Sequence, residues 1–186
     1  SFDYAMDTKH FPLVLRGEFL YQKDIHQPVV DKDALARGNL TAALTTEEND
    51  FFKYVIGADI TVLTNMMVSA QFIQLRNLDF VDGARRYTAD PATMHLTNGL
   101  QKGWENKEFY SLFFSKPFGD SQEHRWNNIT MYEEGGGWWN RFDVEYSFND
   151  ELIGSAEWNY YGGDENTQFG QFNNSSNLQV GMKYIF

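Results

Sequence analysis

From residue 178 to residue 186 every second side chain is large and apolar. Leu178, Val180, Met182, Tyr184 and Phe186 alternate with Gln179, Gly181 and Lys183, and Ile185 alone interrupts the polar series. Side chains of an extended chain point to opposite faces with a period of two, so the pattern specifies a strand with one greasy and one polar face. The same arrangement returns along the chain. Phe52, Tyr54, Ile56, Ala58, Ile60 and Val62 oppose Lys53, Gly57, Asp59 and Thr61, while Phe142, Val144, Tyr146 and Phe148 oppose Arg141, Asp143, Glu145 and Ser147. Leu152, Gly154, Ala156, Trp158 and Tyr160 oppose Ser155, Glu157 and Asn159. Residues 11–22 set Leu13, Leu15, Gly17, Phe19 and Tyr21 against Arg16, Glu18 and Gln22, and residues 66–76 set Val68, Ala70 and Phe72 against Ser69 and Gln71. Two further strands are expected at 107–117, where the nearly unbroken apolar run 109–114 leaves the faces unassigned, and at 124–132, where the pattern is weaker. Residues 1–6 read as the tail of another strand.

The connections between these segments alternate in length. Residues 23–50, 77–106 and 162–175 are long and polar, with a short helical turn expected within 33–45, and 133–137 is intermediate. Residues 63–65, 119–122 and 149–151 are short. Aromatic residues make up 17% of the 186 residues, which suits strands and membrane interfaces better than helices. No run of about 18 apolar residues exists, so a transmembrane helix is not expected. A net charge of -11 argues against nucleic acid as a partner, since phosphates would be repelled. The absence of cysteine removes disulfides, thiolate metal sites and cysteine nucleophiles.

The final nine residues resemble the terminal strand of bacterial outer-membrane β-barrels, in which a closing Phe, an aromatic two places earlier and apolar residues at every second position form the signal. Phe186, Tyr184 and Met182 carry that resemblance. It implies recognition by the barrel-assembly machinery and contact with outer-membrane lipid and lipopolysaccharide. Counting back from a terminal strand that ends in the periplasm places every short connection on the periplasmic side and the long ones outside, as such barrels require. Phe11, Phe118, Phe148 and Phe186 then fall at one rim and Tyr21, Phe52, Tyr132, Trp138 and Tyr160 at the other, as interface-seeking rings predict. The expected fold is therefore all-β: an antiparallel up-and-down transmembrane β-barrel with eight complete strands plus a partial N-terminal strand. Bacterial barrels normally have an even number of strands, so at least one more strand is expected before Ser1, making residues 1–186 one domain that is the C-terminal portion of a larger barrel. The soluble alternative is a small closed barrel with its aromatics inside.

The segments Arg16-Gly17-Glu18-Phe19, Ile56-Gly57-Ala58-Asp59 and Phe114-Ser115-Lys116-Pro117-Phe118 resemble the C-terminal part of a proteobacterial outer-membrane family of unknown function, often encoded near RND-type transporters. The resemblance implies a large barrel, transport of hydrophobic or amphiphilic compounds, and periplasmic or RND-type transport components as partners. It supplies no catalytic residues.

The candidate functional residues are those expected on the lumen face: Arg16, Glu18, Lys53, Asp59, Gln71, Arg141, Asp143, Glu145, Glu157, Asn159 and Lys183. Charges of both signs lining a pore select among solutes; the same charges paired across strands fill a narrow barrel. The acidic loop residues Glu47, Glu48, Asp50, Asp164 and Glu165 suit solvated loops or divalent cations bridging to lipopolysaccharide, without EF-hand spacing. Gly135-Gly136-Gly137 is read as a flexible turn, lacking the strand-to-helix setting of a phosphate loop. His10, His26, His95 and His124 lack metal-ligand spacing. His26 and His95 could be set beside Asp33 or Asp90 in a rim hydrolase, but no nucleophile is fixed beside them. The expected function is an outer-membrane channel or transporter for small molecules, with no catalytic site, metal or cofactor. The alternative is a narrow barrel acting through its loops.

Overall fold

Antiparallel pairing takes the strands almost entirely in sequence order. The computed structural model describes residues 1–9, 11–91 and 101–186. Its strands are β1 (Phe2–Asp7), β2 (Pro12–Asp31), β3 (Leu44–Val62), β4 (Met66–Asn77), β5 (Arg86–Thr88), β6 (Asn106–Phe118), β7 (His124–Glu133), β8 (Trp138–Ser147), β9 (Leu152–Gly162) and β10 (Asn177–Tyr184). They form one sheet in the order β1-β2-β3-β4-β6-β7-β8-β9-β10, with β5 added to the far end of β2. The sheet is not closed: β1 and β10 are its two edges. Nine strands alternating in direction leave those edges running the same way, so they could meet directly only as a parallel pair. No helix is long and apolar enough to cross a membrane among the described residues.

The register sorts the side chains into two faces, because residues opposite one another in an antiparallel pair lie on the same side of the sheet. One face carries the chain Tyr4, Leu15, Ala58, Ala70, Leu112 and, two strands further, Phe142, Trp158 and Leu178. The other carries Asp3, Arg16, Gly57, Gln71 and Ser111. In β6 the register assigns Tyr110, Leu112 and Phe114 to the apolar face and Phe109, Ser111 and Phe113 to the polar one.

The apolar face is largely uncovered. Tyr21, Ile56, Trp158, Val180 and Met182 keep 49–79% of their surface exposed. A row of rings crosses it near the ends that carry the long connections. Phe2, Phe19, Tyr54, Phe72, Tyr110 and Tyr132 succeed one another with centroids 5.3–6.4 Å apart. Trp138, opposite Tyr132, continues the row to Tyr160 at 4.9 Å. Beyond it polar groups take over on the same face: Gln74 donates to Glu108 at 2.6 Å and Arg76 pairs with Glu105 at 3.2 Å. A second aromatic group, Phe118, His124, Tyr146 and Phe148, marks the short-turn end. Glycines on this face sit under rings: a side chain at Gly17, Gly154 or Gly162 would collide with Phe2, Phe148 or Trp138.

β2 and β3 continue past the aromatic row, which the sequence pattern does not anticipate; strand is found where a polar loop is expected at 23–31 and 44–50. A bulge between Gln22 and Ile25 marks the change. The expected helical turn appears as two short helices, α1 (Lys32–Ala36) and α2 (Leu40–Ala43), capped by the Asp31 and Asn39 side chains. With β5 they enclose a small core of Val29, Val30, Ala34, Ala43, Tyr87 and Ala89.

Candidate functional site

Alternation places Arg16, Glu18, Lys53, Asp59, Gln71, Arg141, Asp143, Glu145, Glu157, Asn159 and Lys183 on the one polar face, because each lies an odd number of residues from its strand's apolar series. They form two groups. On β2 and β3 the Arg16 guanidinium pairs with Asp59 across the strands, beside Gly57, whose missing side chain leaves room for Gln71. On β8, β9 and β10 a polar cavity of about 440 Å³ is lined by Arg141, Asp143, Glu145, Glu157, Ser155 and Gln179. There Arg141 lies 3.2 Å from Asp143, and Asn127 donates to the other Asp143 oxygen at 2.7 Å. Asn159 accepts from the Trp139 indole at 3.1 Å and donates to Glu157 at 2.6 Å. Among the residues lining the cavity one cation, Arg141, faces three carboxylates, while Arg125 on β7 lies opposite Glu145 on the same face, so this group carries charges of both signs. Glu18 and Lys53 lie on adjacent strands without an ion pair between them, and Lys183 stands apart opposite Ile153.

The polar face changes character toward the long-connection end. Leu20, Val55, Ile73, Leu75, Phe109, Met131, Trp139 and Tyr161 share it with the charged residues. The β9–β10 connection folds over this region. Phe169 lies with its ring centroid 6.0 Å from Phe109 and 6.3 Å from Trp139, just before a 3-10 segment, Gly170–Ser175. An ion cluster holds it there. The Lys107 ammonium lies 3.1 Å from Asp90 and 3.4 Å from Glu133, whose second oxygen accepts the Gln168 amide at 2.8 Å. All three charged side chains are 15% exposed or less. From sequence Asp90 stands out only as a partner for His26 or His95, and Lys107 and Glu133 are not singled out: they lie on β6 and β7, and no local spacing joins the three.

Polar residues away from the polar face take several places. Asn128, Thr130 and Asn140 sit within the apolar band of the other face, where Asn140 donates to Thr130 at 2.7 Å and the two amides pair with each other. The acidic loop residues do not converge: Glu47 pairs with Arg86, and Asp50 accepts from the Tyr21 hydroxyl and the Asp24 amide. Those two hydrogen bonds, the Tyr21 one foremost, hold the Asp50 carboxyl below its ordinary range. His26 lies opposite Glu48, while Asp33 and Asp90 pair with Arg85 and Lys107. His10 and His95 lie outside the described residues. His124 stacks on Tyr146 at 3.8 Å and accepts the Ser147 amide. Among the described residues no group of three His, Asp or Glu side chains is arranged to hold a metal ion.

Comparison with protein-family models, curated proteins and solved structures returns no match for this chain. The functional reading therefore rests on the two faces and what lies on each.

Proposed function

We propose that this chain is part of the wall of a bacterial outer-membrane β-barrel and that small, amphiphilic molecules pass along its polar face. The observation that carries the reading is the largely uncovered apolar face, interrupted at mid-depth by the hydrogen-bonded Asn128, Thr130 and Asn140 and bounded at both ends by aromatic rings. Soluble monomers rarely expose contiguous apolar patches beyond a few hundred Å², whereas lipid is the natural cover for such a surface. The height fits as well. Eight residues separate Tyr110 from Phe118, Tyr132 from His124 and Trp138 from Tyr146. At about 3.4 Å per residue and a tilt of about 40° they span roughly 21 Å of depth, close to the apolar band of about 25 Å in such barrels.

Closure supports a larger barrel. Two unpaired edges running in one direction call for an odd number of further strands to complete an antiparallel cylinder. The terminal β10 edge, with its Tyr184 and Phe186 signature, fits recognition by the barrel-assembly machinery. The polar face would then line the lumen, with apolar side chains toward its outer end and mixed charges deeper in, a sequence of surfaces suited to amphiphiles more than to simple ions. The packing of Phe169 over that face favours the second reading, a narrow barrel acting through its loops. Single-channel recording on the refolded native protein in planar bilayers separates the two: stable conducting steps are expected, and silence from correctly folded protein would remove the transport reading.

A further inference from the structure

At the long-connection end of the polar face a cavity of about 230 Å³ opens between the sheet and residues 80, 88–91 and 103–104 of the β4–β6 connection. Its walls are mainly apolar: Ile25, Phe51 and Leu75 from the sheet, Phe80 and Trp104 from the connection. Two lysines reach it, and they are not equivalent. Lys53, Leu75 and Lys107 form one cross-strand row. Lys107 is paired with both Asp90 and Glu133, a cluster that keeps one net negative charge. The Lys53 ammonium has no carboxylate within ion-pair distance among the described residues and lies 5.4 Å from the centre of the Phe51 ring. A half-buried cation without a counter-ion, at the edge of an aromatic-walled cavity, is an arrangement that an anion would complete.

We propose that this cavity is a recognition site for a small organic anion with an apolar, aromatic body: the body lies between Leu75, Phe80 and Trp104, and its carboxylate is held by Lys53. This rests on the reading of the polar face as a conduit and names the class of molecule it admits. The volume agrees, since a cavity of about 150 Å³ accommodates benzene, and a ring bearing a short acid chain needs somewhat more. Orientation follows from the row, because the ring can only turn away from the paired Lys107 while the acid turns toward the unpaired Lys53.

The test is equilibrium dialysis of the native protein, reconstituted in lipid nanodiscs, against 4-phenylbutyrate, 4-phenylbutanol and 4-phenylbutylamine, with empty nanodiscs correcting for partition into lipid. Saturable binding is expected, with the acid favoured over the alcohol by about tenfold, the order supplied by one charge-assisted hydrogen bond. K53M should abolish that preference while leaving alcohol binding unchanged, K53R should retain it, and W104A should weaken both ligands. Absence of saturable binding, equal preference in K53M and wild type, or stronger binding of the amine would each overturn the proposal. Conductance measured on the same preparations keeps the two readings apart: conduction without acid-selective binding rejects this site alone, and selective binding without conduction upholds the site and rejects the conduit.

Discussion

Arginine introduced at Ala58 should be costly, and arginine introduced at Gln71 should not. Ala58 lies on the apolar face between Leu15 and Ala70, four residues from Tyr54 in the aromatic row and four from Val62 at the short-turn end. Four residues correspond to about 10 Å of depth at a tilt of about 40°, which puts Ala58 at the centre of the proposed lipid band. It lines a shallow apolar hollow with Leu15, Ile56, Ala70, Phe72 and Tyr110, so a larger side chain has room and little packing is lost. The change therefore isolates the transfer of a charge into hydrocarbon, about 2–4 kcal/mol for arginine at the midplane of a barrel. Gln71 lies at similar depth on the polar face, between Gly57 and Ser111, where arginine is expected to change stability by no more than about 0.5 kcal/mol. Urea titration of refolding into phospholipid vesicles, read by tryptophan fluorescence, measures both. Equal costs, or a larger cost for Q71R, would refute the assignment of faces.

Three further outcomes follow from the long-connection end. K107M removes the ammonium shared by the Asp90 and Glu133 carboxylates and should destabilise the protein by about 3 kcal/mol, while the double change K107M/E133Q should recover much of that loss; urea unfolding compares them. F169A removes two ring contacts worth about 1–2 kcal/mol together, so amide exchange at Gln168 and Gly170 should quicken by roughly tenfold and conductance should rise. Asp50, beyond the aromatic row, has its folded-state pKa depressed by Tyr21 and Asp24. Its contribution is present above the unfolded-state value of about 4 and is lost as pH falls through the lower folded-state value. Exchange protection at the Asp24 amide should therefore fade in acid, and D50N should remove that pH dependence.

The parts of the fold that the sequence makes legible are those where two environments meet across one strand. β4, expected at 66–76, runs Met66–Asn77, and β9, expected at 152–161, runs Leu152–Gly162, because alternation persists for as long as one face meets a different medium from the other. Past the aromatic row both faces of β2 and β3 are polar, as at His26 and Gln27 opposite Glu48 and Glu47. The alternation disappears there although pairing continues, held by backbone hydrogen bonds and the small core around Val30 and Tyr87. The eleven polar-face residues were readable by parity alone. Their partners were not: Lys107 and Asp90, which meet at the long-connection end, are 17 residues apart, and no local spacing joins them. Nor does the pattern in 124–132 announce that Asn128 and Thr130 share a face with Phe114 and Leu112, since two polar residues at alternate positions read as the solvated side of a strand.

The assignment of faces is tested most directly by a nitroxide scan of β4. The chain has no cysteine, so single cysteines at Met67, Val68, Ala70, Gln71 and Phe72 can be labelled without background. In lipid vesicles the labels at 68, 70 and 72 should relax with dissolved oxygen and be shielded from a water-soluble nickel chelate, while those at 67 and 71 show the opposite. Chelate reaching 68, 70 and 72 as readily as 67 and 71, or the two sets exchanged, would contradict a sheet whose apolar face meets lipid.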